Sequence, residues 1–452
     1  MANNSLPKQP TVPTRREFLA RSSTLAVSAA LGTSALVRSA HAGNDETIKI
    51  ALVGCGARGT GAAAQALSTQ GPVELWAMAD AFADRLRGSL DALAATPNMS
   101  PRIKVSGERQ FVGLDAYRQA IDSGVDVVLI AGPPGFRPAH FEYAVKAGKH
   151  VFMEKPVATD APGVRRLLTA NEEAKRRGLK VGVGLQRHHD PVYVDLVKRL
   201  QDKAVGDITF YRCYWNTAAP AKQPVKHDGL TELEYQIRNW YFFNWLSGDH
   251  IVEQHIHNLD VCNWVQGAPP VAAQGQGGRQ VRTGKEYGNI YDHHFIEYTY
   301  ANGAKMFSQC RQIPGCLNSV AEFAHGTRGW SDVSGGRILA TGEAELRLRT
   351  KGRARAGSTG SGNPYQQEHD ALFEAIRSGS DFNEAENGAH STLTAILGRM
   401  ATYSGKEVKW DQALASHLML TTDAEDFNAS APLAANADGF YPVAVPGISI
   451  AV

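Results

Sequence analysis

Residues 48–59 read Ile-Lys-Ile-Ala-Leu-Val-Gly-Cys-Gly-Ala-Arg-Gly, and this stretch decides the fold. The apolar run 48–53 is typical of a buried strand, the glycine-rich turn 54–59 follows at once, and residues 59–67 have the periodicity of a helix. A strand, a glycine-rich turn and a helix in this order form the first unit of a doubly wound sheet. We therefore expect a parallel sheet that begins at residue 48.

The alternation of strands and helices continues to about residue 180. Apolar runs predict strands at 73–79, 125–131 and 150–153, and residues 140–147 have a helical pattern. Strands separated by helices require parallel crossovers. The sequence thus predicts an N-terminal Rossmann domain, a doubly wound parallel sheet, over residues 43–180.

The glycine turn predicts a dinucleotide site. The first glycine permits the tight turn, the second lets the backbone approach a pyrophosphate, and the third lets helix and strand pack closely. The helix N-terminus then faces the phosphate charge. The predicted cofactor-binding residues of this turn are Gly54, Gly56, Ala57, Arg58 and Gly59. The alternative is a glycine-rich turn that binds nothing.

Asp80 ends the second predicted strand at the distance expected for an acid that accepts hydrogen bonds from a ribose diol. A carboxylate there repels a 2′-phosphate, so NAD is favoured over NADP.

The pattern changes after residue 181. Longer strands with mixed faces are predicted at 208–215, 295–300, 305–309 and 320–323, and Asn302-Gly303 is typical of an antiparallel hairpin. We expect a C-terminal α+β domain over residues 181–452 with a large, mostly antiparallel open sheet. Residues 352–363 are predicted to form a loop, and residues 365–377 and 392–403 helices.

Two further segments follow the later strands: Pro133 and Pro134 with His140, and then Glu154 and Lys155 before a proline. Together with the glycine turn they resemble the Gfo/Idh/MocA oxidoreductases, the family of glucose–fructose oxidoreductase and inositol dehydrogenase. The resemblance covers nearly the whole chain after the N-terminus. It implies that these five residues border a nicotinamide cofactor, with Lys155 near the reacting hydroxyl. It also implies a homo-oligomer, dimer or tetramer, because the open sheet often forms the interface in this family.

The segment 253–260 also resembles the family, which has an acid, a histidine four residues on and a second acid three residues later. These positions are Glu253, His257 and Asp260, although glutamate replaces the more usual aspartate at the first. On one helix the three would share a face. Removing hydride from an alcohol also requires a base for the hydroxyl proton, so Lys155, His257 and Glu253 are the predicted catalytic residues. The alternative is a helix that packs its histidines against the sheet.

Arg187, Trp215, Tyr241 and Asp260 are the predicted substrate-binding residues. An arginine binds carboxylates or sugar hydroxyls, and aromatic faces beside hydrogen-bonding groups suit sugar rings, although such residues are more often part of a core. We expect a sugar or another polyol as the substrate.

Composition excludes several other partners. A net charge of +2 gives no reason to expect nucleic acid, and no apolar run after the N-terminus is long enough to span a membrane. The spacing of the histidines matches no zinc motif, so no metal is predicted. The five cysteines do not form a disulfide pattern, although Cys310 and Cys316 are close enough in sequence to be tested as a pair.

The N-terminus has the pattern of an export signal. Arg15 and Arg16 precede Glu-Phe-Leu, a weakly apolar stretch covers residues 25–37, and Ala40-His41-Ala42 resembles a cleavage site. The paired arginines resemble a twin-arginine signal, which predicts a signal peptide over residues 1–42 and a periplasmic protein. The alternative is an arm that stays attached.

The sequence as a whole predicts an exported NAD(P)-dependent oxidoreductase that transfers hydride between a sugar or polyol hydroxyl and a tightly bound nicotinamide cofactor. A second hypothesis is a redox-neutral, NAD-dependent glycosidase that works by oxidation, elimination, hydration and re-reduction, with Lys155, Tyr241, Glu253 and His257 as its acid and base candidates. A nucleotide-binding protein without chemistry is the third.

Overall fold

The computed structural model describes residues 46–220, 222–348, 362–422 and 424–452. The predicted signal peptide over residues 1–42 lies outside them, as does most of the predicted loop over residues 352–363.

The N-terminal sheet confirms the predicted doubly wound arrangement. Its strands are β1 (Ile48–Val53), β2 (Val73–Asp80), β3 (Gln110–Val112), β4 (Val127–Ile130), β5 (His150–Met153) and β6 (Val181–Val183). All neighbouring pairs are parallel, in the order β3-β2-β1-β4-β5-β6. β6 lies just beyond residue 180, at which the sequence analysis ended this domain.

Helices cover both faces of this sheet and one face of the next. They are α1 (Ala57–Leu67), α2 (Ala83–Ala94), α3 (Ala116–Asp122), α4 (Arg137–Lys146), α5 (Ala161–Arg176), α6 (Pro191–Gln201), α7 (Glu232–Arg238), α8 (Asn244–Ser247), α9 (His250–Glu253), α10 (Ile256–Gln266), α11 (Pro364–Ser378), α12 (Ala385–Ser404) and α13 (Trp410–Ala415). α11 packs against α1, and its Leu372 and Phe373 are buried in the same core as Leu52 of β1. The cover of the Rossmann sheet is thus completed by a helix from far along the chain.

The second sheet has nine strands and is mostly antiparallel, as predicted. They are β7 (Ile208–Thr217), β8 (Ala272–Gly278), β9 (His293–Thr299), β10 (Lys305–Gln312), β11 (Ser319–Gly326), β12 (Gly329–Asp332), β13 (Arg337–Ala340), β14 (Leu346–Arg347) and β15 (Val408–Lys409). The order is β14-β13-β12-β11-β7-β10-β9-β8-β15, and only β7 and β10 pair in parallel among these strands. The predicted hairpin at Asn302-Gly303 joins β9 to β10.

Helices α10 and α12 pack on one face of this sheet. Gly398 of α12 makes the close approach possible, because a Cβ atom there would lie 2.1 Å from the hydroxyl oxygen of Tyr298 in β9. On the other face, Phe295 remains exposed.

A long segment without helix or strand ends the chain. This C-terminal tail, residues 416–452 apart from residue 423, packs against an apolar cluster that includes Phe82, Tyr235 and Trp245. The backbone N–H of Leu420 donates to Asp160 at 2.8 Å, and Tyr291 donates to the carbonyl of Ala444 at 2.9 Å. The tail therefore contacts elements of both sheets.

Cys310 is buried, Cys316 is exposed, and the two form no disulfide. In the part of the chain that the structure describes, no helix is long and apolar enough to cross a membrane.

Candidate active site

A cavity of about 500 Å³ lies at the carboxyl edge of the Rossmann sheet. Residues at or just after the ends of the parallel strands form one wall, and residues of the second half of the chain form the other. Ligands of doubly wound sheets bind at this edge. The predicted site residues that line the cavity are Gly54, Gly56, Ala57, Arg58, Asp80, Pro133, Pro134, His140, Glu154, Lys155, Trp215, Tyr241, Glu253 and His257.

The glycine turn has the backbone geometry that the sequence implied. Gly54 has φ +96°, and a Cβ atom there would lie 2.2 Å from the backbone nitrogen of Gly132. A Cβ atom on Gly59 would lie 1.9 Å from the carbonyl oxygen of Gly54. Gly59 does not line the cavity, so its role is to let α1 pack against β1.

Gly56 caps the N-terminus of α1, and the space around it is open. Among the residues that the structure describes, no atom lies within 4 Å of the position that its Cβ would take, and no side chain caps the helix. The first N–H groups of a helix have no partner within the helix, and they attract anions. This end of the cavity therefore suits a pyrophosphate.

Asp80 ends β2 and lines the same end of the cavity. One carboxylate oxygen accepts the N–H of Cys55 at 2.6 Å, and the other accepts that of Phe82 at 2.9 Å. Burial raises the pKa of the Asp80 carboxyl although both backbone donors favour its charged form. Each oxygen has two lone pairs, so both can also accept a ribose hydroxyl.

His140 of α4 forms part of the wall after β4. Its ring stacks on Tyr117 with centroids 4.1 Å apart, and its Nδ1 has no hydrogen-bond partner. Burial, assisted by the nearby charge of Arg137, lowers the pKa of His140 to about 3. The residue is therefore a neutral ring that shapes the cavity.

Arg58 and Glu154 pair with each other. The Arg58 guanidinium donates to Glu154, and it also lies 3.8 Å from Glu368. Both Arg58 and Glu154 border the cavity. Because carboxylates already neutralise Arg58, its main effect is to fix the residue that precedes Lys155.

Lys155 lies against the end of α9. Its Nζ is 2.5 Å from the carbonyl oxygen and 3.2 Å from Oε1 of Glu253. An ammonium group has three hydrogens, so one remains for a ligand in the cavity. The buried Arg137, which the sequence analysis missed, donates to the carbonyl of Pro156 and so fixes the backbone beside Lys155. In the sequence, Arg137 follows a turn and belongs to no motif that indicates a functional residue.

His257 and Tyr241 complete the catalytic end. Burial, with the charges of Lys155 and Arg187 nearby, holds the pKa of His257 well below its usual range. The ring centroids of His257 and Trp215 are 6.0 Å apart. Among the described residues, Nδ1 of His257 has no hydrogen-bond partner. The Tyr241 oxygen accepts a hydrogen bond from Gln312 at 2.6 Å. Its own proton is therefore available to a ligand oxygen, and burial raises the pKa of the phenol well above its usual value.

Two predicted substrate residues lie outside the cavity wall. The predicted single helix over 253–260 is in fact two, because α9 ends at Glu253 and α10 begins at Ile256. Asp260 faces another cluster, where it accepts hydrogen bonds from His188 at 2.8 Å and Ser391 at 2.7 Å. Arg187 is paired with the buried Glu322.

A second polar cluster is buried beneath the second sheet. Asp249, His250 and His294 each offer a possible ligand atom within 4.8 Å of the others. However, Asp249 already accepts from the His250 ring at 2.8 Å, the N–H of Tyr291 at 2.9 Å and the hydroxyl of Tyr403 at 2.6 Å. These donors take most of the acceptor positions of the carboxylate, whereas Nε2 of His250 and Nε2 of His294 have no hydrogen-bond partner among the described residues.

Comparison with known protein families agrees with this geometry. Residues 48–184 match the model of the Gfo/Idh/MocA oxidoreductase family with an NAD-binding Rossmann fold, and residues 193–330 match the model of the Gfo/Idh/MocA C-terminal domain. The chain belongs to the Gfo/Idh/MocA oxidoreductase family, and residues 48–184 form its NAD-binding Rossmann domain.

Curated relatives include inositol dehydrogenases. An inositol 2-dehydrogenase of Klebsiella pneumoniae (strain 342) is 28% identical over 222 residues, 48% of this chain and 54% of the relative. A scyllo-inositol 2-dehydrogenase (NAD(+)) of Bacillus subtilis (strain 168) is 26% identical over 164 residues, 36% of this chain and 42% of the relative. The chain thus spans about half the length of these relatives.

Solved structures share the fold over about 80% of this chain. An aldose-aldose oxidoreductase from Caulobacter crescentus, complexed with glycerol, has a TM-score of 0.62 at 17% identity and covers 80% of this chain and 99% of its own. A levoglucosan dehydrogenase in complex with NADH and levoglucosan has a TM-score of 0.63 at 16% identity, covering 81% and 100%.

Proposed function

We propose that this protein is an NAD-dependent oxidoreductase that transfers hydride between a secondary hydroxyl of a sugar or polyol and the nicotinamide. One observation carries the proposal. Lys155, Glu253, His257 and Tyr241 converge on the cavity that also contains the glycine turn of the dinucleotide site. The inositol, aldose and levoglucosan enzymes among the relatives support a polyhydroxylated substrate.

The bound nicotinamide would accept the hydride, and the residues of the chain would handle the hydroxyl proton. Charging His257 is unfavourable because burial and the neighbouring Lys155 lower its pKa, so it binds the hydroxyl as a neutral ring. Lys155, whose Nζ lies 3.2 Å from Oε1 of Glu253, is positioned to act in its amine form as the base that accepts the hydroxyl proton. Tyr241 donates a hydrogen bond to another oxygen of the substrate.

Asp80 supports NAD over NADP. Its carboxylate can accept hydrogen bonds from a ribose diol but repels a 2′-phosphate. We expect NAD to stay bound through turnover and to be reoxidised by a second substrate.

The first test is to denature the purified protein and identify any released nucleotide by mass spectrometry, with its redox state from absorbance. We expect one NAD(H) per chain, and reduction or oxidation of it when polyols or aldoses are added to the native protein. Protein that releases no nucleotide and binds neither NAD nor NADP would refute the proposal.

A redox-neutral glycosidase is the second candidate. It is favoured by Tyr241, whose O–H is not used by Gln312 and can hydrogen-bond to the oxygen of a leaving group. In that reaction hydride moves to the nicotinamide, a base removes the proton next to the new carbonyl, the leaving group departs with a proton, water adds and the hydride returns. Turnover in deuterated water would separate the two, since only this route introduces deuterium at the carbon next to the oxidised one without net redox change.

We also propose export to the periplasm by the twin-arginine route and assembly into a homo-oligomer. The paired Arg15 and Arg16 support the first, and the exposed Phe295 on the open face of the second sheet supports the second. Mature protein outside the cytoplasm of cells with the twin-arginine translocase blocked would contradict the export route. A monomeric mass in light scattering would contradict assembly.

A further inference from the structure

The C-terminal tail covers the outer side of one cavity wall. Phe82 lines the cavity, and its N–H is hydrogen-bonded to Asp80. Phe427 of the tail stacks behind it, with ring centroids 5.4 Å apart and planes 17° apart. The ring that flanks the proposed ribose site is thus supported by the tail.

Other apolar residues of the tail pack on the same wall. Leu420 and Leu433 belong to one cluster with Leu114, Phe136 and Ile237, and the latter three line the cavity. Leu114 and Phe136 come from the Rossmann half of the chain, whereas Ile237 is in α7. The tail therefore fills the seam between the two walls of the cavity.

Polar contacts fasten the tail to both walls. Glu425 pairs with Arg118 of α3 at 2.7 Å. On the other side, Thr231 donates to the carbonyl of Phe427 at 3.0 Å, and Gln236 of α7 donates to that of Leu433 at 2.7 Å. Separating the two walls would therefore break the ion pair on one side of the tail or the hydrogen bonds on the other.

We propose that the C-terminal tail retains the dinucleotide by holding these walls together, with Phe427 as a positioning residue that acts through Phe82. The inference rests on the proposed function, because it presupposes a bound dinucleotide. A ligand held between two walls is released faster when the walls separate more easily, and segments that bridge the walls slow that movement. The tail thus makes the cofactor slow to exchange.

The test uses the full chain loaded with NADH and compares Phe427→Ala with Phe440→Ala. Phe440 is in the same tail but is exposed, so it is the matched control. NADH release is followed by stopped-flow fluorescence with excess NAD as the trap. Loss of an aromatic pair predicts release that is about three- to tenfold faster in Phe427→Ala and unchanged in Phe440→Ala. Single-turnover hydride transfer should stay at the wild-type rate, because Phe427 does not line the cavity, and Phe427→Tyr should restore slow release.

Equal release rates in the two folded alanine variants would overturn the inference. If Phe427→Ala does not fold, Phe427→Leu replaces it, since leucine keeps apolar bulk but removes the flat ring; wild-type release in that variant would also overturn it. Wild-type protein that binds no NADH would instead refute the proposed function. The two failures are therefore distinguishable.

Discussion

His140 gives a quantitative prediction about stability and pH. Its ring is 9% exposed and stacks on Tyr117, and burial lowers its pKa to about 3. In the unfolded chain the pKa of a histidine is about 6.5. Between these two values the unfolded state binds a proton that the folded state does not, so the free energy of unfolding falls as the pH falls.

The size of the effect follows from linkage. One such group lowers the free energy of unfolding by about 1.4 kcal/mol for each pH unit between pH 6.5 and 3. The loss at pH 5 relative to pH 8 is therefore about 2 kcal/mol. We expect His140→Phe, which keeps a stacked ring but cannot titrate, to remove this part of the pH dependence. Other titrating groups are common to both proteins and cancel in the comparison.

The assay is urea unfolding of wild type and His140→Phe at pH 8 and pH 5, with the same nucleotide loading. The wild type should lose about 2 kcal/mol more than the variant on acidification. His417→Asn is the control, because His417 is exposed and its replacement should leave the wild-type pH dependence intact. Equal losses in wild type and His140→Phe would show that His140 takes up its proton in the folded state, which would refute the account of its burial.

Three further variants test the site. Lys155→Met should lower kcat by about a hundredfold or more while NADH still binds, since it removes the proton acceptor but not the dinucleotide site. Fluorescence titration measures the binding and steady-state rates measure kcat, and a normal kcat would exclude Lys155 as the base. Gly59→Ala should weaken NAD binding and lower Tm, because its Cβ would lie 1.9 Å from the Gly54 oxygen and the clash should destabilise the fold by about 1–3 kcal/mol. Calorimetry that shows wild-type affinity and Tm would contradict the packing role. Asp80→Asn should raise the ratio of kcat/KM for NADP to that for NAD by about tenfold, as repulsion of a 2′-phosphate is lost, and an unchanged ratio would mean that Asp80 does not contact the ribose.

The fold was predictable because local signals decide it. The turn at residues 54–59 and the alternation after it indicate a doubly wound parallel sheet, and Asn302-Gly303 marks the β9–β10 hairpin. The return of α11 to cover the Rossmann sheet was not predictable. The apolar face of α11 could pack on either sheet, and only tertiary packing decides which sheet it covers.

The site was predictable where residues follow directly from strand ends, and less so elsewhere. Asp80 and Lys155 lie at the sheet edge because Asp80 ends β2 and Lys155 closely follows β5. Asp260 was predicted to line the site because a single helix would place it on the same face as Glu253. The helix is in fact broken at residues 254 and 255. Arg187 was predicted to bind substrate, but it is paired with the buried Glu322, which is far away in sequence.

The break after Glu253 also explains how distant residues position the proposed base. Lys155 contacts both the backbone and the side chain of Glu253, so its position depends on where α9 ends. α9 has only four residues and begins after Asp249, whose φ of +76° is costly for a residue other than glycine. That conformation is held by hydrogen bonds to Asp249 from the Tyr291 backbone and the Tyr403 hydroxyl. Tyr291, just before β9, and Tyr403 of α12 thereby fix the geometry of the proton acceptor from positions far away in the sequence.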